Sequence, residues 1–336
     1  MNKILIHNEL AKLALILLLP VALLSCDSID EDRSDCGVYL EFKYEHNMEY
    51  ADAFKSQVNS VDVLFFGMDN RYLLTKHALR EELIEENKIF LGDDPIFARC
   101  KILTIGGLSD EFEITDYSGN PPTPGTTMLE DIQLSLKHSS EIVSDEFQNI
   151  WMAPVQTIEY KTELSTWPVF LIRETNQFNI VLTNNKQVEN ITNLPYTVEI
   201  DTPEWGIYGY DNSPQLKEQL TYTPYYLEPG ESITEVSVAR IKTMRLLDMQ
   251  GYDYRLKVRN TQTNKIVWEE DLINLIKELK RHSPDGNPMS LQEFLDRQNE
   301  WNFVIKFKEE EFGDEGFIGI QVIVNNWIVW ENKIGV

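Results

Sequence analysis

The 336-residue sequence predicts a mainly β protein made of two β-sandwich domains. Three observations carry this expectation. Short apolar stretches, alternating or continuous, recur along most of the chain. Clusters of Gly, Pro, Asn and Asp separate them as turns. Only one segment, Glu269 to Lys280, carries apolar residues at sustained helical spacing.

The chain opens with an export signal, predicted over residues 1–25. Lys3 and Lys12 precede an apolar segment from Leu13 to Leu24. That segment is far shorter than the about 20 residues a bilayer-spanning helix needs, and its flanks are those of a removable signal. Leu23, Ser25 and Cys26 form a lipobox, so Cys26 is the expected first residue of the mature chain and its lipid-attachment site. Two or more acyl chains at that cysteine hold a protein stably on a membrane. An acidic tether, residues 26–35, follows. The formal net charge is −25. Such a surface repels nucleic acid and anionic headgroups, which excludes nucleic acid as a partner and leaves the lipid to make the membrane contact.

The N-terminal domain is expected over residues 36–185. Val38, Leu40, Phe42 and Tyr44 alternate with Tyr39, Glu41 and Lys43, a half-buried strand. Ala51 to Val58 has room for one or two helical turns. Val61 to Met68, the turn Asp69-Asn70 and Tyr72-Leu73-Leu74 read as a hairpin. Phe97 to Ile105 is a strand ended by Gly106-Gly107. Three prolines keep residues 119–125 out of regular pairing. Ile132 to Lys137 and Val155 to Tyr160 alternate. Pro168 to Arg173 and Phe178 to Thr183 read as two strands around the turn Glu174-Thr-Asn-Gln177.

A polar segment, Asn184 to Asn193, separates this domain from a second over residues 194–336. Tyr196 to Ile200 is a strand, and Asp201 to Pro214 a loop. Ser237 to Met244 and Tyr252 to Asn260 are strands. The helix at Glu269 to Lys280 turns Leu272, Ile273, Ile276 and Leu279 to one face. A second helix starts at Ser290, with Glu293 placed for a capping box. Trp301 to Phe307 is a strand. Phe317 to Val324 and Trp327 to Lys333 close the chain as a hairpin around Asn325-Asn326.

No catalytic or cofactor motif stands out. The five histidines are isolated, and HExxH, GxSxG, GxGxxG and P-loop patterns are absent. Cys36 and Cys100 fit neither a redox motif nor a zinc site. In an exported protein they either form a disulfide, closing a loop that stabilises by about 4 kcal/mol, or stay buried as free thiols.

Four stretches carry a resemblance to a known family. They are Cys36-Gly-Val-Tyr-Leu-Glu-Phe with Val61-Asp-Val-Leu-Phe-Phe-Gly-Met-Asp; Val169-Phe-Leu-Ile-Arg173 with Phe178-Asn-Ile-Val-Leu182; Met289-Ser-Leu-Gln-Glu-Phe-Leu-Asp-Arg297; and Ile320-Gln-Val-Ile-Val-Asn-Asn-Trp-Ile-Val329. In this order the chain resembles the lipid-anchored fimbrial subunits of Bacteroidota, the anchors of fimbrillin-type (type V) pili. Asn326, where Gly is common, and Leu24 in the lipobox depart from the family pattern. The resemblance implies two transthyretin-like sandwiches with a short helical insertion in the second. It implies no enzyme activity, no cofactor and no metal. It also implies a fimbrillin shaft subunit as partner, joined by strand donation. An outer-membrane, surface-exposed anchor at the fimbrium base follows. The donor strand is expected in the C-terminal hairpin, over Trp327, Ile328, Val329, Trp330 and Ile334, with the face of Ile328, Trp330 and Ile334 entering the shaft subunit's groove; the alternative is that the hairpin completes the second domain's own sandwich. Two alternatives share the lipobox: a surface glycan-binding lipoprotein, and a shaft or tip subunit of the same family.

Overall fold

The structure is a computed structural model. It describes residues 37–84, 87–92, 94–160, 164–184, 196–215, 219–229, 235–279, 281–308 and 319–331. The described residues are mainly β-strand, arranged in five sheets.

β1 (Val38–Lys43) alternates in burial as its sequence predicts, with Val38, Leu40 and Phe42 fully buried. A single helical turn, α1 (Phe54–Gln57), leads to the hairpin of β2 (Ser60–Phe66) and β3 (Tyr72–Leu79). Asn70 takes φ 68° in the intervening turn, a conformation Asn tolerates. Then follow β4 (Lys88–Gly92), β5 (Arg99–Gly106), β6 (Phe112–Thr115), β7 (Gln133–Leu136) and β8 (Ile142–Val143). β9 (Trp151–Glu159), β10 (Ser165–Phe170) and β11 (Ile172–Arg173) complete this half.

Two sheets enclose the N-terminal core. One has the order β10-β1-β4 and the other β11-β9-β5-β2-β3. β1 is the central strand of the first, parallel to β10 and antiparallel to β4. Every residue of β2 is buried, because its two faces serve two different cores. Val61, Val63 and Phe65 join the core beneath β1, while Leu64 and Phe66 join a second core with Phe112, Leu134 and Leu136. The near-continuous apolar run of β2 follows from that double burial.

The second half opens with β12 (Thr175–Asn184) and β13 (Tyr196–Thr202). It continues with β14 (Ile207–Gly209), β15 (Leu220–Tyr222), β16 (Tyr226–Glu228), β17 (Glu235–Met244), β18 (Arg255–Asn260) and β19 (Ile266–Asp271). The helices α2 (Leu272–Lys277) and α3 (Leu291–Arg297) precede β20 (Glu300–Lys308), β21 (Gly319–Val324) and β22 (Trp327–Glu331). A six-stranded sheet, β16-β17-β12-β20-β21-β22, and a five-stranded sheet, β19-β18-β13-β15-β8, share the larger core. Phe178, Ile180, Trp301 and Phe303 line it from one side, Val198, Ile200, Leu256 and Val258 from the other. Each such side chain contributes roughly 1.5–3 kcal/mol by leaving water.

Three differences from the sequence reading have clear causes. The segment Glu174 to Gln177 is not a hairpin turn. β11 pairs with β9, whereas β12 runs into the six-stranded sheet, antiparallel to β17 and parallel to β20. Three of the polar residues that suggest a turn, Glu174, Thr175 and Asn176, are buried, and Asn176 donates to Met244 O at 3.1 Å and accepts from Trp301 Nε1 at 3.0 Å. β7, β8 and β12, which precede the segment 184–193 or run into it, pair with β14, β15 and β17, which follow it. The chain changes sheets at Glu174. Finally, the expected helix at 269–280 is shorter. Val267 to Glu270 belong to β19, and Asp271 Oδ1 caps α2 by accepting from Asn274 N at 2.8 Å. In the expected loop 201–214 lies the short strand β14.

Candidate functional site

The residues that would matter for anchoring lie at the two ends of the described chain and at the junction between its halves. At the N-terminal end, β1 is hydrogen-bonded on both edges, in register Val38↔Ser165 to Lys43↔Phe170 on one side and Tyr39↔Phe90 to Glu41↔Lys88 on the other. Phe42 stacks on Phe54 at 6.0 Å.

The chain leaving β1 is held by the second half of the molecule. Tyr44 is 1% exposed, packs edge-on against Trp151, and donates its hydroxyl to Asn299 Oδ1 at 2.9 Å. Asp52 Oδ1 accepts from Tyr44 N and Phe54 N, and Asn47 Nδ2 donates to the carbonyls of Tyr44 and Ala51, which closes the 44–52 loop on itself. Arg297 of α3 reaches this loop, donating to Glu45 O at 3.1 Å and Asn47 O at 3.2 Å with its guanidinium over the Tyr50 ring. Helix α3 is set in place by Ser290, whose hydroxyl accepts from Glu293 N at 3.1 Å. Leu291, Phe294 and Leu295 are buried, as their spacing predicts. Burial, and then Arg297, push the imidazole of His46 below its ordinary range.

At the crossover, Glu174 is fully buried. It accepts from Asn212 Nδ2 at 2.7 Å and faces Arg245, 3.7 Å away. Arg245 in turn binds Asp296 of α3 at 2.8 Å. Burial outweighs the attraction of Arg245 and pushes the Glu174 carboxyl up to about 7. This network and the Arg297 clamp are invisible to sequence reasoning, since every partner is remote. The Glu293–Arg297 pair, at helical spacing, is the one local signal.

At the C-terminal end the hairpin forms as predicted, with Asn325 and Asn326 at φ 47° and 69°. β21 pairs with β20, so the hairpin lies in its own sheet and β22 is the edge strand. A register shift falls between Val322 and Ile323. Ile328 therefore stands opposite Ile323, and Trp330 opposite the buried Val322, so the two register with residues of opposite faces. Ile328 is 60% exposed. Trp327, Val329 and Trp330 are placed by this backbone register, while Ile334 lies outside the described residues. So do Cys26 and Cys36. Cys100 is fully buried, and that burial pushes its thiol up to about 12. Of the tryptophans, Trp151 and Trp301 are fully buried in the cores. Among the described residues there is no cluster of three His, Cys, Asp or Glu suited to a metal, and no helix long and apolar enough to cross a membrane.

The family signature of the fimbrillin-A-associated anchor proteins Mfa1 and Mfa2 matches residues 32–333. The chain belongs to the Mfa2 family. A solved structure from Bacteroides ovatus, named as a candidate adhesin, is 39% identical, with 92% of this chain and 99% of that chain covered and a TM-score of 0.84. A Bacteroides thetaiotaomicron structure named as a candidate polysaccharide-binding protein is 26% identical, covering 90% and 99%, at TM-score 0.75. The fimbrial anchor protein Mfa2 of Porphyromonas gingivalis shares the fold at TM-score 0.64 and 15% identity, covering 88% and 99%. No curated protein sequence matches the chain. Mfa2 membership gives the chain a fimbrium-associated, adhesin-type role in a family of structural proteins rather than of enzymes.

Proposed function

We propose that this chain is a lipoprotein, attached to the outer membrane through Cys26, that holds a fimbrium at its base and contacts the last fimbrillin shaft subunit by strand donation. The observation that supports this most is the state of β1. Both its edges are occupied, and its exit is clamped by Asn299 and Arg297. A subunit that must open a groove by shedding its first strand is poorly served by such a clamp; one that keeps the strand, and the lipid ahead of it, is well served. The two halves, each built on paired sheets, are consistent with transthyretin-like sandwiches and with α2 and α3 as the helical insertion of the second. The outer edge of β22 is the natural place for contact with another strand.

The test is to replace Cys26 by Ala and follow a radioactive fatty acid, the mature N-terminus and the fimbriae together. Label lost with the substitution, residues 36–44 retained in the mature protein, and fimbriae shed into the medium are the expected outcome. Mature protein beginning beyond Lys43 would end the anchor reading in favour of a shaft subunit. The polysaccharide-binding name of the B. thetaiotaomicron neighbour favours a second reading, a glycan-binding lipoprotein. Tight binding of purified protein to polysaccharide, with no fimbrillin co-purifying, would establish that reading instead.

A further inference from the structure

The outer face of the β10-β1-β4 sheet carries an aromatic shelf at the end where the chain arrives from its N-terminus. Phe90 of β4 pairs across the ladder with Tyr39 of β1, their ring centroids 4.8 Å apart. The Phe90 ring also lies across Gly37, so closely that a Cβ there would come within 2.4 Å of it. Gly37 adopts φ 152°, and its missing side chain is what lets the ring settle. Ser165 N donates to Gly37 O at 3.1 Å, which sets Leu164 beside the same spot. Phe90 is 40% exposed and Leu164 49% exposed. The Phe90 ring is thus fixed by two neighbours yet open to water.

We infer that this shelf, formed by Tyr39, Phe90 and Leu164, seats in the interfacial zone of the lipid leaflet that holds the anchor, and so orients the molecule on the membrane. The inference rests on lipidation at Cys26. The chain from Cys26 to Gly37 spans at most about 40 Å when fully extended, so the Gly37 end of β1 is held within that reach of the bilayer. Tyr39, an aromatic ring with a polar tip, is of the kind that favours the headgroup level; Phe90 and Leu164 add apolar surface beside it. Of the charges on this face, Glu41 and Lys43 of β1 pair with each other at 3.4 Å, and Lys88 of β4 stands opposite Glu41. A chain net charge of −25 disfavours an anionic surface, so a zwitterionic one is used in the test.

The experiment places the lipidated full-length protein on phosphatidylcholine vesicles, recovers it by flotation, and maps side-chain oxidation by hydroxyl radicals with mass spectrometry. Phe170 is an internal reference: it has the same side chain, 43% exposure, and the opposite end of the same face, opposite Lys43. Phe90 should be oxidised several-fold less than Phe170 in floated protein. In a lipidated Tyr39→Ser, Phe90→Ser variant that still floats, oxidation of Leu164 should rise. Equal oxidation of Phe90 and Phe170 in floated wild-type protein would overturn the inference while leaving the anchor reading intact. Protein that carries no lipid and fails to float would remove both.

Discussion

The Tyr44 hydroxyl donates to Asn299 Oδ1 over 2.9 Å, joining residues 255 positions apart in the chain. Both partners are buried, so the bond ties the exit of β1 to the start of β20 in a site without competing water. Tyr44→Phe removes the donor and leaves an unpaired acceptor. The expected loss is about 1–3 kcal/mol in denaturant unfolding. Arg297→Ala should loosen the 44–52 loop, read as faster amide exchange there. Unchanged stability and exchange in both variants would show that the clamp contributes nothing.

Stability should fall as pH rises from the ordinary carboxylate range toward about 8. Burial pushes Glu174 up to about 7 and Glu204, beside Tyr254, up to about 8. A carboxyl whose folded-state pKa lies above its unfolded value binds protons better when folded. Its contribution is complete below the ordinary carboxylate range and is lost as pH rises through the folded value. The two together should lower stability by several kcal/mol, at roughly 1.4 per pH unit for each group, between about pH 5 and pH 8. Urea midpoints across that range test this, and Glu204→Gln should flatten the curve. His46 opposes on the acid side: its depressed value means stability is complete above the ordinary imidazole range and is lost as pH falls below it. A midpoint that climbs steadily with pH would contradict this assignment.

Deleting residues 327–336 removes β22 but leaves β21 paired with β20. The expected result is a surface-displayed, lipidated protein whose cells release fimbriae into the medium. Fimbriae that stay cell-bound, with the truncated protein folded and displayed, would rule the hairpin out as the donor.

The cysteines can be read by mass mapping of unreduced protein. A peptide linking Cys36 to Cys100 would tie the segment ahead of β1 covalently to β5. If instead both are free, Cys100 should resist alkylation until the protein unfolds, because its thiol is fully buried and held protonated. Rapid alkylation of Cys100 in folded protein would contradict its burial.

Local pattern made much of the fold legible. The alternation of Val38, Leu40 and Phe42, the Asn325-Asn326 turn and the Ser290 cap each act within a few residues, and each stands as its sequence predicts. What failed to show was long-range. Glu174, Thr175 and Asn176 have turn-like composition, yet remote partners bond Glu174 Oε1 and both ends of the Asn176 amide, so the chain runs buried into β12. Short strands such as Ile142–Val143 exist only because a neighbour, Leu220–Tyr222, supplies the ladder. The Arg297 clamp likewise depends on two segments 250 residues apart.

The central place of β1 has a mechanical meaning. Load applied to the residues ahead of Gly37 pulls β1 lengthwise between β10 and β4. The hydrogen bonds of both ladders run across that direction, so they meet the force as shear and share it. The strand slips only when two ladders fail together, whereas an edge strand peeled sideways would lose one bond at a time.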